Sequence, residues 1–208
     1  VERVLGGGIV PGSLVLLGGD PGIGKSTLVT QISGGLAHSD KPVLYVSGEE
    51  SPHQIKLRAD RLHLQDRHLL LLSEVSVDAI LEHAQTRPPA LLVIDSIQTV
   101  QADGLGSAPG SVGQVREATS RLLRFAKDTQ IPVIIAGHVT KEGNIAGPRT
   151  LEHLVDVVLY LEGTPYSSWR ILRSAKNRFG PTNEVAILEM KETGLVEVRN
   201  PSAAFLAE

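Results

Sequence analysis

The sequence predicts an α/β fold: a mainly parallel central sheet flanked by helices, with an antiparallel extension toward the C-terminus. Three observations predict it. Short unbroken apolar runs recur along the chain, amphipathic stretches of helical period separate them, and beyond residue 161 both give way to short runs divided by Gly, Pro and Asn.

The elements follow in order. Residues 14–17 are apolar on both alternating faces, as a strand covered on two sides must be. Runs of the same kind occupy 43–46, 91–94, 133–136 and 157–161. Helices are expected over about 25–37, 52–62, 77–85 and 112–128. In the last of these, Val112, Val115, Ala118, Leu122 and Ala126 recur at spacings of three or four, with Arg116, Arg121, Arg124 and Lys127 at other positions. Strand followed by helix, repeated, implies right-handed crossovers in one layered sheet. The runs at 169–174, 185–190 and 195–198 make the antiparallel extension. Residues 98–113 follow neither period and are rich in small side chains, so a long functional loop is expected there, with a second glycine-bearing loop over 140–148.

Composition narrows the function. A chain of 208 residues is expected to form a single domain over 1–208, burying roughly 70% of its unfolded surface. The apolar runs at 69–72 and 90–94 are far too short for a bilayer, and no leader pattern opens the chain, so no membrane partner and a cytoplasmic location are expected. With no cysteine there is no disulfide, thiolate nucleophile or cysteine zinc site. Aromatic residues are 3%, which disfavours a site built on base stacking. The net charge is −3, yet residues 116–178 carry ten Lys and Arg against six Asp and Glu, a local +4. Nucleic-acid contact would therefore act through backbone phosphates, unless the cluster is simply a solvated face.

Gly19, Asp20, Pro21, Gly22, Ile23, Gly24, Lys25 and Ser26 match the P-loop pattern G-x-x-x-x-G-K-[ST], and Thr27 follows. The motif stands between an apolar strand and a helix pattern, where its backbone N–H groups and the helix dipole meet phosphate oxygens. Lys25 is expected on the β- and γ-phosphates of ATP or GTP, and the Ser26 hydroxyl on Mg2+. Asp95 ends a buried strand at the edge where such sheets hold ligands, and is the second candidate for Mg2+. Glu49 and Glu50 leave another strand at that edge. Glu49 is the first candidate to position the attacking water, with Glu50 close behind unless it merely caps the next helix. The remaining histidines, His38, His53, His63, His68, His83 and His153, show no metal-ligand spacing.

Taken together, the opening Gly6-Gly7-Gly8, the P-loop, Ser47-Gly48-Glu49-Glu50-Ser51, Ile94-Asp95-Ser96, Gly113-Gln114-Val115-Arg116, Gly137-His138 and above all Lys176-Asn177-Arg178-Phe179-Gly180 resemble the RecA-type ATPase core of the bacterial RadA (Sms) family, relatives of RecA and DnaB-type helicases. The resemblance covers nearly the whole chain. It implies a RecA-like P-loop NTPase that hydrolyses ATP in hexameric rings, moves on single-stranded DNA, promotes branch migration in recombinational repair and works beside a recombinase such as RecA. Carried onto this chain, it implies that Lys176 and Arg178 reach the neighbouring subunit's γ-phosphate, that His138 senses the γ-phosphate, and that the loops at 98–113 and 141–149 face DNA, with Lys141, Arg149 and Arg116 as phosphate contacts. That family also carries an N-terminal four-cysteine zinc module and a C-terminal Lon-protease-like domain. Neither is in this sequence, so an ATPase core alone is expected.

Two other classes remain open on sequence. A nucleotide-dependent assembly ATPase like the KaiC proteins shares the Gly-Glu-Glu-Ser arrangement, and lacks the Lys-Asn-Arg-Phe-Gly segment. A small-molecule P-loop kinase would need an acceptor pocket or arginine-rich lid that the sequence does not display.

Overall fold

Period-two alternation in the strands decides the layers. In the computed structural model, which describes residues 1–38, 40–64, 68–138, 148–163 and 167–198, strand β1 (Leu14–Gly19) is buried along its whole length. Leu14 and Leu16 enter one core and Val15 and Leu17 the other, as period two requires. The same division runs through β2 (Val43–Ser47), β4 (Leu91–Asp95) and β5 (Val133–His138). Each such side chain removed from water contributes about 1.5–3 kcal/mol, which makes a strand assignment with two apolar faces hard to invert.

Helices cover both faces. On one side α4 (Val77–Thr86) and α5 (Val112–Thr129) supply Ile80, Val115, Ala118 and Leu122 to the first core. On the other, α2 (Lys25–Leu36) and α3 (Pro52–Arg61) supply Leu28, Val29 and Ile55 to the second. Ser51 opens α3 in a reciprocal capping box with Gln54, with Pro52 at the first turn, and the Ser76 and Ser111 hydroxyls accept from backbone N–H groups at the starts of α4 and α5. A short α1 (Glu2–Leu5), not expected from the sequence, packs Val4 and Leu5 into the second core.

The nine-stranded sheet has the order β3-β2-β4-β5-β1-β6-β7-β8-β9. Strands β3 (Leu69–Ser73), β2, β4, β5, β1 and β6 (Val157–Gly163) pair in parallel. Strands β7 (Trp169–Asn177), β8 (Val185–Lys191) and β9 (Gly194–Glu197) add on antiparallel, as expected. Two corrections are needed. The run at 69–72 is an edge strand rather than a stretch of no assigned structure, and being half-buried it lacks a fully covered flank. Val112, expected on the packed stripe of α5, is 43% exposed in the helix's first turn. The stretch leading from β4 to α5 is a loop, as expected, ordered by a 3-10 turn at Ile97–Thr99 and a parallel bridge between Ser76 and Gln101.

Buried Gln114 explains that order. Its Oε1 accepts from the Ala102 amide at 2.8 Å, and its Nε2 donates to the carbonyls of Leu105 at 3.2 Å and Ser107 at 3.0 Å. Residues 139–147 and 199–208 lie outside the described residues, and with them Lys141 and the greater part of the second glycine-bearing loop. Among the described residues no helix is long and apolar enough to cross a membrane.

Candidate nucleotide-binding site

Register brings the site together. Gly19 at the end of β1 pairs with His138 at the end of β5, Asp95 pairs with Ala136 of β5, and Ser47 of β2 pairs with Asp95. Four strands thus deliver the P-loop, His138, Asp95 and the Glu49 turn to one carboxyl edge, the ligand edge of open α/β sheets.

The P-loop leaves β1 and turns directly into α2. Gly22 and Gly24 have φ of +76° and +114°, a region where a side chain is strained. Gly19 is required for a different reason: a Cβ there would stand 2.6 Å from the Leu161 carbonyl oxygen on β6. Lys25, 3% exposed, donates from Nζ to the carbonyls of Gly19 and Asp20, each at 2.8 Å. Burial lowers its pKa to about 8, against the opposing pull of Asp95, Asp20 and Glu49. Buried Arg170 of β7 donates from Nε to the Ile23 carbonyl at 2.9 Å, bracing the loop from outside.

Glu49 and Glu50 part company here. Glu49 Oε1 accepts from the Ser96 hydroxyl at 2.8 Å and lies 3.7 Å from His138 Nε2. His138 Nδ1 is buried without a hydrogen-bond partner among the described residues. Glu50 instead closes both carboxylate oxygens on the Arg58 guanidinium of α3. An ion pair thus engages both Glu50 oxygens, which favours Glu49 over Glu50 as the carboxylate that faces the site. The sequence offered two adjacent carboxylates, and only the position of Arg58 separates them.

Asp95, 6% exposed, accepts from the Tyr45 hydroxyl on Oδ2 at 2.5 Å, and a cis peptide joins it to Ser96. Ser26 begins the same helix as Lys25. A hydroxyl and a carboxylate are hard oxygen donors that suit Mg2+, which takes one or two protein ligands together with nucleotide phosphates and water. Among the described residues no group of three or more His, Cys, Asp or Glu is placed to hold a metal ion.

Lys176 and Arg178 lie elsewhere. Lys176 and Asn177 pair with Val158 and Val157, level with the amino-terminal half of β1 and away from Gly19. Lys176 Nζ donates to the carbonyls of Glu152 and Val155, both at 2.8 Å. Arg178 meets buried Asp156 at 3.0 Å, a carboxylate that also accepts from Lys127 at 2.7 Å and from the Leu14 amide at 3.0 Å. Burial alone would raise that carboxyl's pKa; these donors hold it below the ordinary value. Arg116 is exposed on the first turns of α5. Exposed Arg149 lines a cavity of about 470 Å³ that also borders Gly19 and Asp20, so the structure sets it beside the P-loop.

Tyr45, Arg58, Ser96 and Arg170 were missed on sequence. Tyr45 carried a signal: a hydroxyl in the middle of a doubly buried strand has to find a partner. Arg170, 147 residues from Ile23, carried none.

Residues 1–144 match the protein family described as AAA domain. The chain is 59% identical over 207 residues to the DNA repair protein RadA of Bacillus subtilis, covering 100% of this chain and 45% of that protein. It is 58% identical over 208 residues to the DNA repair protein RadA of Halalkalibacterium halodurans, covering 100% of this chain and 46% of that one. The chain thus spans less than half the length of these curated relatives. Among solved structures, the RadB recombinase matches with a TM-score of 0.68 at 24% identity over 95% of this chain and 96% of that one. A solved ATPase domain matches with a TM-score of 0.76 at 15% identity over 95% of this chain and 88% of that one. Both share the RecA-like fold.

Proposed function

The chain belongs to the AAA domain family, and on that footing we propose that this RecA-like ATPase domain is the motor core of a DNA repair protein, hydrolysing ATP with Mg2+ as a homo-oligomeric, hexameric ring on single-stranded DNA. The observation that carries the reading is the meeting at one sheet edge of Lys25 and Ser26 from the P-loop, Asp95 from β4 and Glu49 from the turn after β2.

Each residue has a task there. The P-loop amides and the α2 N-terminus hold the phosphates, and Lys25 exchanges its two carbonyl partners for phosphate oxygens. Ser26 and Asp95 would hold Mg2+, which supplies charge neutralisation on the phosphate oxygens when bound. Glu49, oriented by Ser96 and facing His138, orients a water in line with the γ-phosphate. His138, at the end of β5 with an unsatisfied Nδ1, senses that phosphate.

Arg178 and Lys176 act on a neighbouring subunit's nucleotide. Their place near the opposite edge from their own P-loop supports action in trans, and the Arg178 side chain is 49% exposed while one nitrogen stays anchored on Asp156. Arg116, Arg149 and Lys141 supply sequence-independent contacts to DNA phosphates. Relatives named as DNA repair proteins at 59% and 58% identity support DNA repair as the setting; branch migration beside a recombinase, in the cytoplasm, is the finer part of this proposal.

The test is a Glu49→Gln variant assayed with and without single-stranded DNA. Nucleotide binding should persist while turnover falls by at least about a hundredfold, and the wild type should be stimulated by DNA in a salt-sensitive manner. Wild-type turnover in the variant would sink the role of Glu49. A ring that forms and hydrolyses ATP with no response to DNA would instead favour an assembly ATPase.

A further inference from the structure

The ion pair of Glu50 with Arg58 leads on into the interior of the sheet. Tyr45 lies in the middle of β2, 0% exposed, facing α2 and α3 among Leu28, Val29 and Ile55 of the same core. Its hydroxyl donates to Asp95 Oδ2 at 2.5 Å and accepts from Arg58 Nη1 at 3.4 Å. Arg58 Nη2 in turn closes on both oxygens of Glu50. Glu50 is itself held at the strand end, its amide donating to the Ser47 hydroxyl at 3.0 Å. A chain of hydrogen bonds therefore runs from the turn bearing Glu49, through α3 and the interior of β2, to the carboxylate at the end of β4.

Between a phenol and a carboxylate the phenol O–H is the donor, so Tyr45 donates to Asp95 Oδ2. Asp95 is thereby left with Oδ1 for other ligands, and rotation about its terminal torsion would break a bond inside the protein. A carboxylate with one oxygen so held is preorganised for the other to take a cation or a cation-bound water.

We propose that Tyr45, braced by the Arg58–Glu50 ion pair, is a positioning residue that orients Asp95 toward the nucleotide-bound divalent cation. The proposal rests on the reading of Asp95 as a Mg2+ ligand and deepens it: the second glutamate acts on the metal through three intervening side chains, not on the water.

Tyr45→Phe and Glu50→Gln, singly and together, test it, with Mn2+ binding to the nucleotide-loaded chain followed by electron paramagnetic resonance. Metal-free nucleotide affinity is measured alongside. Tyr45→Phe should weaken Mn2+ binding about tenfold, as expected for a hydrogen bond to a charged group, and leave metal-free nucleotide affinity unchanged. Glu50→Gln should act in the same direction by a smaller factor, and the double variant should match Tyr45→Phe alone. The proposal is overturned if Tyr45→Phe binds Mn2+ as the wild type does, if the two effects multiply, or if metal-free affinity falls equally, which would mark a general structural role. Should Tyr45→Phe fail to fold, Glu50→Gln decides, since an unchanged Mn2+ affinity breaks the chain at its first link. A wild-type chain that binds nucleotide with no response to Mn2+ would sink the metal site itself, a different failure from an unaffected variant.

Discussion

Raising the pH through the titration of Lys25 should loosen triphosphate binding, by an amount that follows from how burial has shifted that ammonium. Lys25 is 3% exposed, and its pKa is lowered to about 8, first by burial and against the attraction of Asp95, Asp20 and Glu49. Below about pH 8 the side chain is charged and ready for phosphate. Above it the nucleotide-free lysine is neutral, whereas the bound lysine, facing anionic oxygens, keeps its proton. Binding then takes up a proton, and affinity falls about tenfold per pH unit toward the ordinary lysine value. From about pH 7.5 to about pH 9.5 the accumulated loss is about 25-fold.

Stability of the nucleotide-free protein moves the opposite way. The unfolded lysine holds its proton to a higher pH than the folded one, so this group's contribution to stability rises between the folded value of about 8 and the ordinary lysine value of 10.5. Titration calorimetry without divalent cation, in two buffers of different ionisation enthalpy, reads both the affinity and the proton uptake. Lys25→Arg keeps its charge throughout and should show a flat profile. An affinity independent of pH in the wild type, or an equal slope in Lys25→Arg, would refute the argument.

Two further outcomes test contacts between elements. Arg170→Lys removes the Nε donor to the Ile23 carbonyl but keeps a cation, and should raise the nucleotide dissociation constant by about tenfold through a looser P-loop, read by titration with a fluorescent ATP analogue. Gln114→Ala removes the clasp on residues 102–107 and should cost about 2 kcal/mol of unfolding free energy in a urea titration, with the Ala102 amide exchanging faster than the amides of β4.

The parts of this protein that were legible in the sequence are those whose cause is local. Five strands announced themselves because two covered faces leave no room for polar side chains; β3 carries the same unbroken apolar run, Leu69 to Leu72, although its place at the sheet edge leaves it only half-buried. The loop over 98–113 was legible from its small residues and lack of period, whereas what orders it, one glutamine on the following helix, was not. The antiparallel extension was legible from its turn residues, while the brace that Arg170 lends the P-loop from within it was not.

The site divides along the same line. A P-loop is eight consecutive residues whose glycines, lysine and hydroxyl act within one turn, so the sequence by itself determined where phosphate is expected to bind and which strand precedes that loop. Which of two neighbouring glutamates faces His138, that Tyr45 holds Asp95, and that Lys176 and Arg178 lie far from their own P-loop were decided only by tertiary structure. Those outcomes depend on hydrogen bonds and strand registers between residues distant along the chain. Such pairings exist only after the sheet order has placed β2, β4, β5 and β1 side by side, and no spacing within a motif encodes that order.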